Sequence, residues 1–202
     1  MTVMTREVVG RQSELRSIYT FLDAPRETPA GLVLEGEPGI GKSTLWLAAV
    51  AAARERGFLV LVSRPAEAER AFVHVGLGDL FDGILDDVIG ELSPPRRRAL
   101  EVALLRNQKA NDGADHRALA VAVHDTLGLL SERKSVVVAI DDVQWLDPSS
   151  ASALAFALRR LDAAVLLIFA RRLEPSDLEQ AVDVERLSIG PLSTCVPLLP
   201  HA

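Results

Sequence analysis

The sequence has 202 residues, 49% hydrophobic and 25% charged, the balance of one globular domain able to bury its own core. A net charge of −6 leaves no basic surplus to draw the chain onto a phosphate backbone, so direct nucleic-acid binding is not expected. Cys195 is the only cysteine, which excludes an intramolecular disulfide and a cysteine zinc cluster; no apolar run has the length of a membrane span and residues 1–10 lack a signal-peptide pattern, so the expected setting is cytoplasmic.

Short β-rich runs alternate with helical patterns, the rhythm of a parallel sheet wrapped by helices. Leu15, Ile18, Tyr19 and Leu22 share one face of a predicted helix over 12–22. Pro25 and Pro29 then break the chain before a strand over 31–34. A helix is predicted from Lys42 until Gly57 stops it, followed by a strand over 58–62 that is apolar on both faces, as buried parallel strands are.

Leu77, Leu80, Phe81 and Ile84 suggest the next helix, and Pro94-Pro95 the start of another, with Arg96, Arg97 and Arg98 read as a solvated face. Residues 107–115 read as a loop, and 116–130 as a helix with Ala120, Val123, Leu127 and Leu130 on one side. A buried strand over 136–140 ends in Asp141-Asp142. Asp147-Pro148 is a helix opening, an N-cap followed by proline, for a helix reaching Leu161. Strands over 165–169 and 185–189 complete the pattern. After Leu192, Pro197 and Pro200 block a helix, so the reading is one domain over 1–192 and an irregular tail over 193–202.

The chemistry concentrates in Gly36, Glu37, Pro38, Gly39, Ile40, Gly41, Lys42, Ser43 and Thr44, a full G-x-x-x-x-G-K-S run between a predicted strand and a predicted helix. The glycines permit a tight turn whose N–H groups point inward at phosphate oxygens, and the helix start adds its positive dipole end. Lys42 supplies a cation for β and γ phosphates, and Ser43 a hydroxyl where magnesium needs an oxygen. The expected ligand is ATP, or less favoured GTP, with Mg2+.

Asp141, at the C-terminal end of a buried parallel strand, is placed to hold the metal ion. Asp142 would orient or deprotonate an attacking water; the alternative for either residue is a cap on the next turn. Arg171 would neutralise the γ-phosphate, or else be one of two solvated arginines after a strand, and Arg172 is read as the surface residue. The four histidines show no metal-ligand spacing, and His124 and Asp125, adjacent on a helix, are not expected to face one another. Gly76-Leu-Gly78 lacks the rest of a dinucleotide fingerprint. Trp46 and Trp145 are expected to pack against the sheet.

Val9-Gly-Arg11 with Glu14-Leu15, the glycine-rich run and Asp141-Asp-Val-Gln-Trp-Leu-Asp147 together resemble the ATPase domain of the large ATP-binding LuxR-type transcriptional regulators, in the STAND branch of AAA-related P-loop NTPases. Leu154-Ala-Phe-Ala-Leu-Arg-Arg-Leu161 and Phe169-Ala-Arg-Arg172 look like the same family. The resemblance covers roughly residues 8–192. It implies an α/β P-loop NTPase fold, a parallel sheet in the AAA-like order 5-1-4-3-2 with helices on both faces. It implies a switch in which ATP favours a self-associating state and slow hydrolysis to ADP resets it. It also makes Arg171 the sensor arginine and sets Val9 and Arg11 near the adenine. Full members continue through a lid and a DNA-binding helix-turn-helix, so the tail reads as a truncation, a shifted frame or an imposed boundary. Two alternatives stand beside this: a small-molecule P-loop kinase, which needs an arginine-rich lid, and a non-catalytic nucleotide-binding fragment acting as an interaction partner.

Overall fold

Five apolar or half-apolar runs become strands, and the most apolar of them lie in the middle. The computed structural model describes residues 10–104, 115–172 and 177–191. Strands β1 (Ala30–Glu35), β2 (Leu59–Ser63), β3 (Val136–Ile140), β4 (Val165–Arg171) and β5 (Asp183–Ser188) form one parallel sheet in the order β2-β3-β4-β1-β5, the expected order read from the other edge. β3 and β4 are buried along their whole length, which fits sequences apolar at every position but Arg171 at the end of β4, whereas β5 at one edge is mostly exposed.

Helices α1 (Gln12–Asp23) and α2 (Lys42–Glu55) cover one face of the sheet. On the other lie α3 (Val75–Phe81), α4 (Leu85–Val88), α5 (Pro94–Leu104), α6 (His116–Arg133) and α7 (Pro148–Leu158). Strand alternation divides the core accordingly. Val136, Val138 and Ile140 pack with α3, α6 and α7, while Val137 and Ala139 pack with Ile18, Leu45 and Trp46 of α1 and α2. No helix among the described residues is long and apolar enough to cross a membrane.

Several boundaries differ from the sequence reading for local reasons. α3 ends at Phe81 because Gly83, at φ +71°, turns the chain before Ile84. α7 stops at Leu158, short of Leu161. The arginine run is not a purely solvated face: Arg97 donates to the carbonyls of Ile89 (3.1 Å) and Gly90 (2.9 Å), and Arg96 pairs with Asp125. His124 and Asp125 do meet, Nδ1 to Oδ1 at 3.0 Å, the imidazole reaching across to its neighbour although their Cβ atoms diverge. Most of the expected 107–115 loop, Val9 and the 193–202 tail lie outside the described residues; Asp115 caps α6, accepting from the amides of Arg117 and Ala118.

Asp147 does more than cap α7. Its buried carboxylate accepts from Ser150 N (2.9 Å), as the Asp-Pro reading expects, and also from His74 N (3.0 Å) and Gly76 N (3.0 Å) at the start of α3. Ser150 Oγ accepts from Leu77 N at 3.0 Å. Gly76 sits so close to Leu146 that a Cβ there would fall 2.2 Å from its side chain. One carboxylate thus joins the starts of two helices. Asp147→Ala removes the cap and strands two buried amides, and should cost about 3 kcal/mol. Urea unfolding should show a lower midpoint at unchanged slope.

Candidate functional site

β1 delivers the chain to Gly36, where the backbone must pass close to β5's end. A Cβ at Gly36 would lie 2.7 Å from the Ile189 carbonyl, and Ile189 N donates to the Glu35 carbonyl at 2.7 Å. Gly39 (φ +76°) and Gly41 (φ +104°) then take left-handed conformations that L side chains rarely adopt, and α2 opens at Lys42. Lys42 is 6% exposed; its Nζ donates to the carbonyls of Gly36 (3.0 Å) and Glu37 (2.9 Å), so the ammonium spans the loop from inside.

Arg11, just before α1, braces the same loop from outside. Its Nη2 donates to the Ile40 carbonyl at 2.9 Å while Nη1 pairs with Glu14 at 2.8 Å. The resemblance sets this residue near a base; here its guanidinium is directed at the loop backbone.

β3 brings the second component. Asp141, 4% exposed, accepts from Ser43 Oγ at 3.1 Å through Oδ1, and Arg64 Nη2 lies 3.7 Å from Oδ2. Burial pushes the Asp141 carboxyl above the usual carboxylate range; the Ser43 hydrogen bond opposes this, the charge of Asp142 adds to it, and Arg64 opposes it. Asp142 follows in a left-handed conformation (φ +50°), a strained setting for a residue with a side chain. Its Oδ1 accepts from Gln144 Nε2 at 2.9 Å.

These groups surround a cavity of about 300 Å³ lined by Pro38, Gly39, Gly41, Lys42, Ser43, Thr44, Asp142 and Arg172. The two arginines at the end of β4 divide as neighbours on a strand do, one to each face. Arg171, 3% exposed, turns from the cavity to pair with Glu35 (2.8 Å) and Glu179 (2.7 Å), and Ser188 Oγ bonds the other oxygen of Glu35 at 2.7 Å. Arg172, exposed as the sequence reading has it, also lines the cavity and lies over the Trp145 ring, 5.6 Å from its centre. Sequence reasoning includes Gln144 in the Asp141-to-Asp147 run without assigning it a role, and does not find Arg64 or the partners of Arg171, which belong to no spaced motif. Trp46 packs as expected, its Nε1 donating to the Ile168 carbonyl at 3.2 Å, but Trp145 is half-buried against Arg172.

A glycine turn at a helix start, a buried ammonium and a hydroxyl–carboxylate pair are what a phosphate chain with a hard cation requires, and with this sheet they define a nucleotide-binding domain of the P-loop class. The family model of the AAA ATPase domain matches residues 7–169, and the chain belongs to that family. No curated protein matches it. Among solved structures it is similar to a chain of the HORMA:CdnC:Trip13 complex of E. coli, with 16% identity and a TM-score of 0.52 over 91% of this chain and 63% of that one. A chain of Drosophila ORC bound to poly(dA/dT) DNA and Cdc6 gives 15% identity and a TM-score of 0.52 over 90% of this chain and 29% of that one. At such identity the likeness is one of fold, and this chain spans less than two thirds of either neighbour's length.

The raised Asp141 carboxyl has a consequence for stability. Its folded value lies above the unfolded one, so the native state favours the proton, and an unfavourable charge develops as pH rises through the carboxylate range. Asp141→Asn removes that charge and keeps an oxygen for Ser43. With no nucleotide or magnesium added, the urea midpoint of this variant should exceed wild type at neutral pH, and the difference should close below about pH 3.

Proposed function

We propose that this chain is the ATP-binding, slowly hydrolysing switch domain of a LuxR-type transcriptional regulator, acting in the cytoplasm through self-association, with no direct DNA contact of its own. The observation that carries the nucleotide part is the 3.1 Å hydrogen bond from Ser43 to Asp141, which joins the glycine-rich loop to the end of β3 beside Lys42. The regulator part is supported by the Asp141-to-Asp147 run, whose Asp142, Gln144 and Trp145 meet the cavity-lining groups while Asp147 fixes the following helix. Residues 1–192 form the core domain in this reading.

Lys42 and the loop amides take the β and γ phosphates of ATP or ADP, with Gly36, Gly39 and Gly41 shaping the turn and Arg11 holding the Ile40 carbonyl. Ser43 and Asp141 fit magnesium: both are hard oxygen donors, already adjacent. Bound magnesium would neutralise phosphate charge. Asp142 orients the attacking water and accepts its proton as the water oxygen bonds to the γ-phosphorus and the bridging oxygen departs with ADP; the proton then passes to the released phosphate. The cation facing that phosphate is Arg172, since Arg171 is committed to Glu35 and Glu179.

Calorimetric titration with ATP and magnesium tests the reading. Lys42→Ala should weaken binding by about tenfold to a hundredfold, the worth of a lost charge-assisted contact. Unchanged affinity would overturn the assignment.

A further inference from the structure

Asp142 and Arg172 reach the cavity from different strands, β3 and β4, and one side chain touches both segments. Gln144 Nε2 donates to Asp142 Oδ1 at 2.9 Å, and its Oε1 accepts from the backbone N–H of Arg172 at 3.4 Å. The orientation of the amide is dictated by its partners: turned over, it would set oxygen against carboxylate and N–H against N–H. Gln144 stands in the middle of a single 3-10 turn, Val143–Trp145, closed by Trp145 N donating to the Asp142 carbonyl at 2.9 Å. The next residue, Trp145, supports the guanidinium of the same Arg172. Residue 144 therefore fixes the backbone of Arg172 and residue 145 its side chain, while both work from the turn that Asp142 begins.

We infer that Gln144 is a positioning residue for ATP hydrolysis: it locks the Asp142 carboxylate and holds Arg172 at a set distance across the cavity. This rests on the reading of Asp142 as the group that orients water. The Asp142 backbone is held in a sparsely populated conformation, but its side-chain torsions are not thereby fixed, and a carboxylate free to turn would sample many aims. A glutamate in place of Gln144 has the same length and still accepts from Arg172, but it sets a carboxylate where Asp142 requires a donor.

The test compares ATP turnover and calorimetric ATP affinity, with magnesium, for wild type, Gln144→Ala, Gln144→Glu, Asp142→Asn and the double variant Asp142→Asn with Gln144→Ala. Gln144→Ala should lower kcat by about tenfold to a hundredfold, within the range of general-base effects, with the Kd for ATP within about twofold of wild type. Gln144→Glu should be at least as slow, and, being isosteric, it carries the test even if the alanine variant fails to fold. The double variant should be no slower than Asp142→Asn alone. Wild-type kcat in Gln144→Glu, a loss confined to Kd, or full additivity in the double variant would each overturn the inference. If Asp142→Asn turns over like wild type, or wild type does not turn over, the underlying reading fails and this inference with it. A slow Asp142→Asn beside a fast Gln144→Glu sinks the inference alone.

Discussion

The hydrogen bond between Ser43 and Asp141 is the point at which two distant stretches of sequence, 98 residues apart, become one site. It exists because β3 lies two places from β1 across β4, so the carboxylate at its end meets the first turn of α2. The geometry also explains a buried acid in an apolar sheet. Asp141 bears a desolvation penalty that the Ser43 hydroxyl, the exposed Arg64 and the backbone of Asp142 offset only in part. A site designed for stability alone would place an apolar residue there; a site for a hard cation would not.

Around this centre the molecule uses arginine as a structural tie. Arg171 bridges Glu35 on β1 and Glu179 beyond β4, and Arg11 links α1 to the loop. Such buried pairs are expensive to desolvate and contribute more to fixed geometry than to net stability. Here the geometry concerned is the spacing of the β1 and β4 ends, from which the glycine-rich loop and Arg172 both depart. Adjacent arginines thus have different work, one inside the protein and one facing the cavity.

Much of this was legible in the residues. The apolar runs at 136–140 and 165–169 read as strands, and the glycine-rich run declared its own turn, since Gly36 stands where a Cβ does not fit and Gly39 and Gly41 where φ is positive. The strand order came from resemblance, because pairing across a sheet leaves no trace in local periodicity. What stayed hidden was direction. Nothing in Arg171-Arg172 says which faces the cavity, as a one-residue change of strand phase exchanges them. The partners of Arg96 and Arg97 lie on other elements, and Gln144 has a meaning only once β4 ends beside it.

The shared carboxylate of Asp147 bears on how the protein opens. Two helix starts that draw on the same acceptor cannot fray one at a time, since releasing α3 leaves α7 with a half-satisfied anion inside the core. Solvent exchange at the amides of His74, Gly76 and Ser150 would then follow one common event, the starts of α3 and α7 opening together.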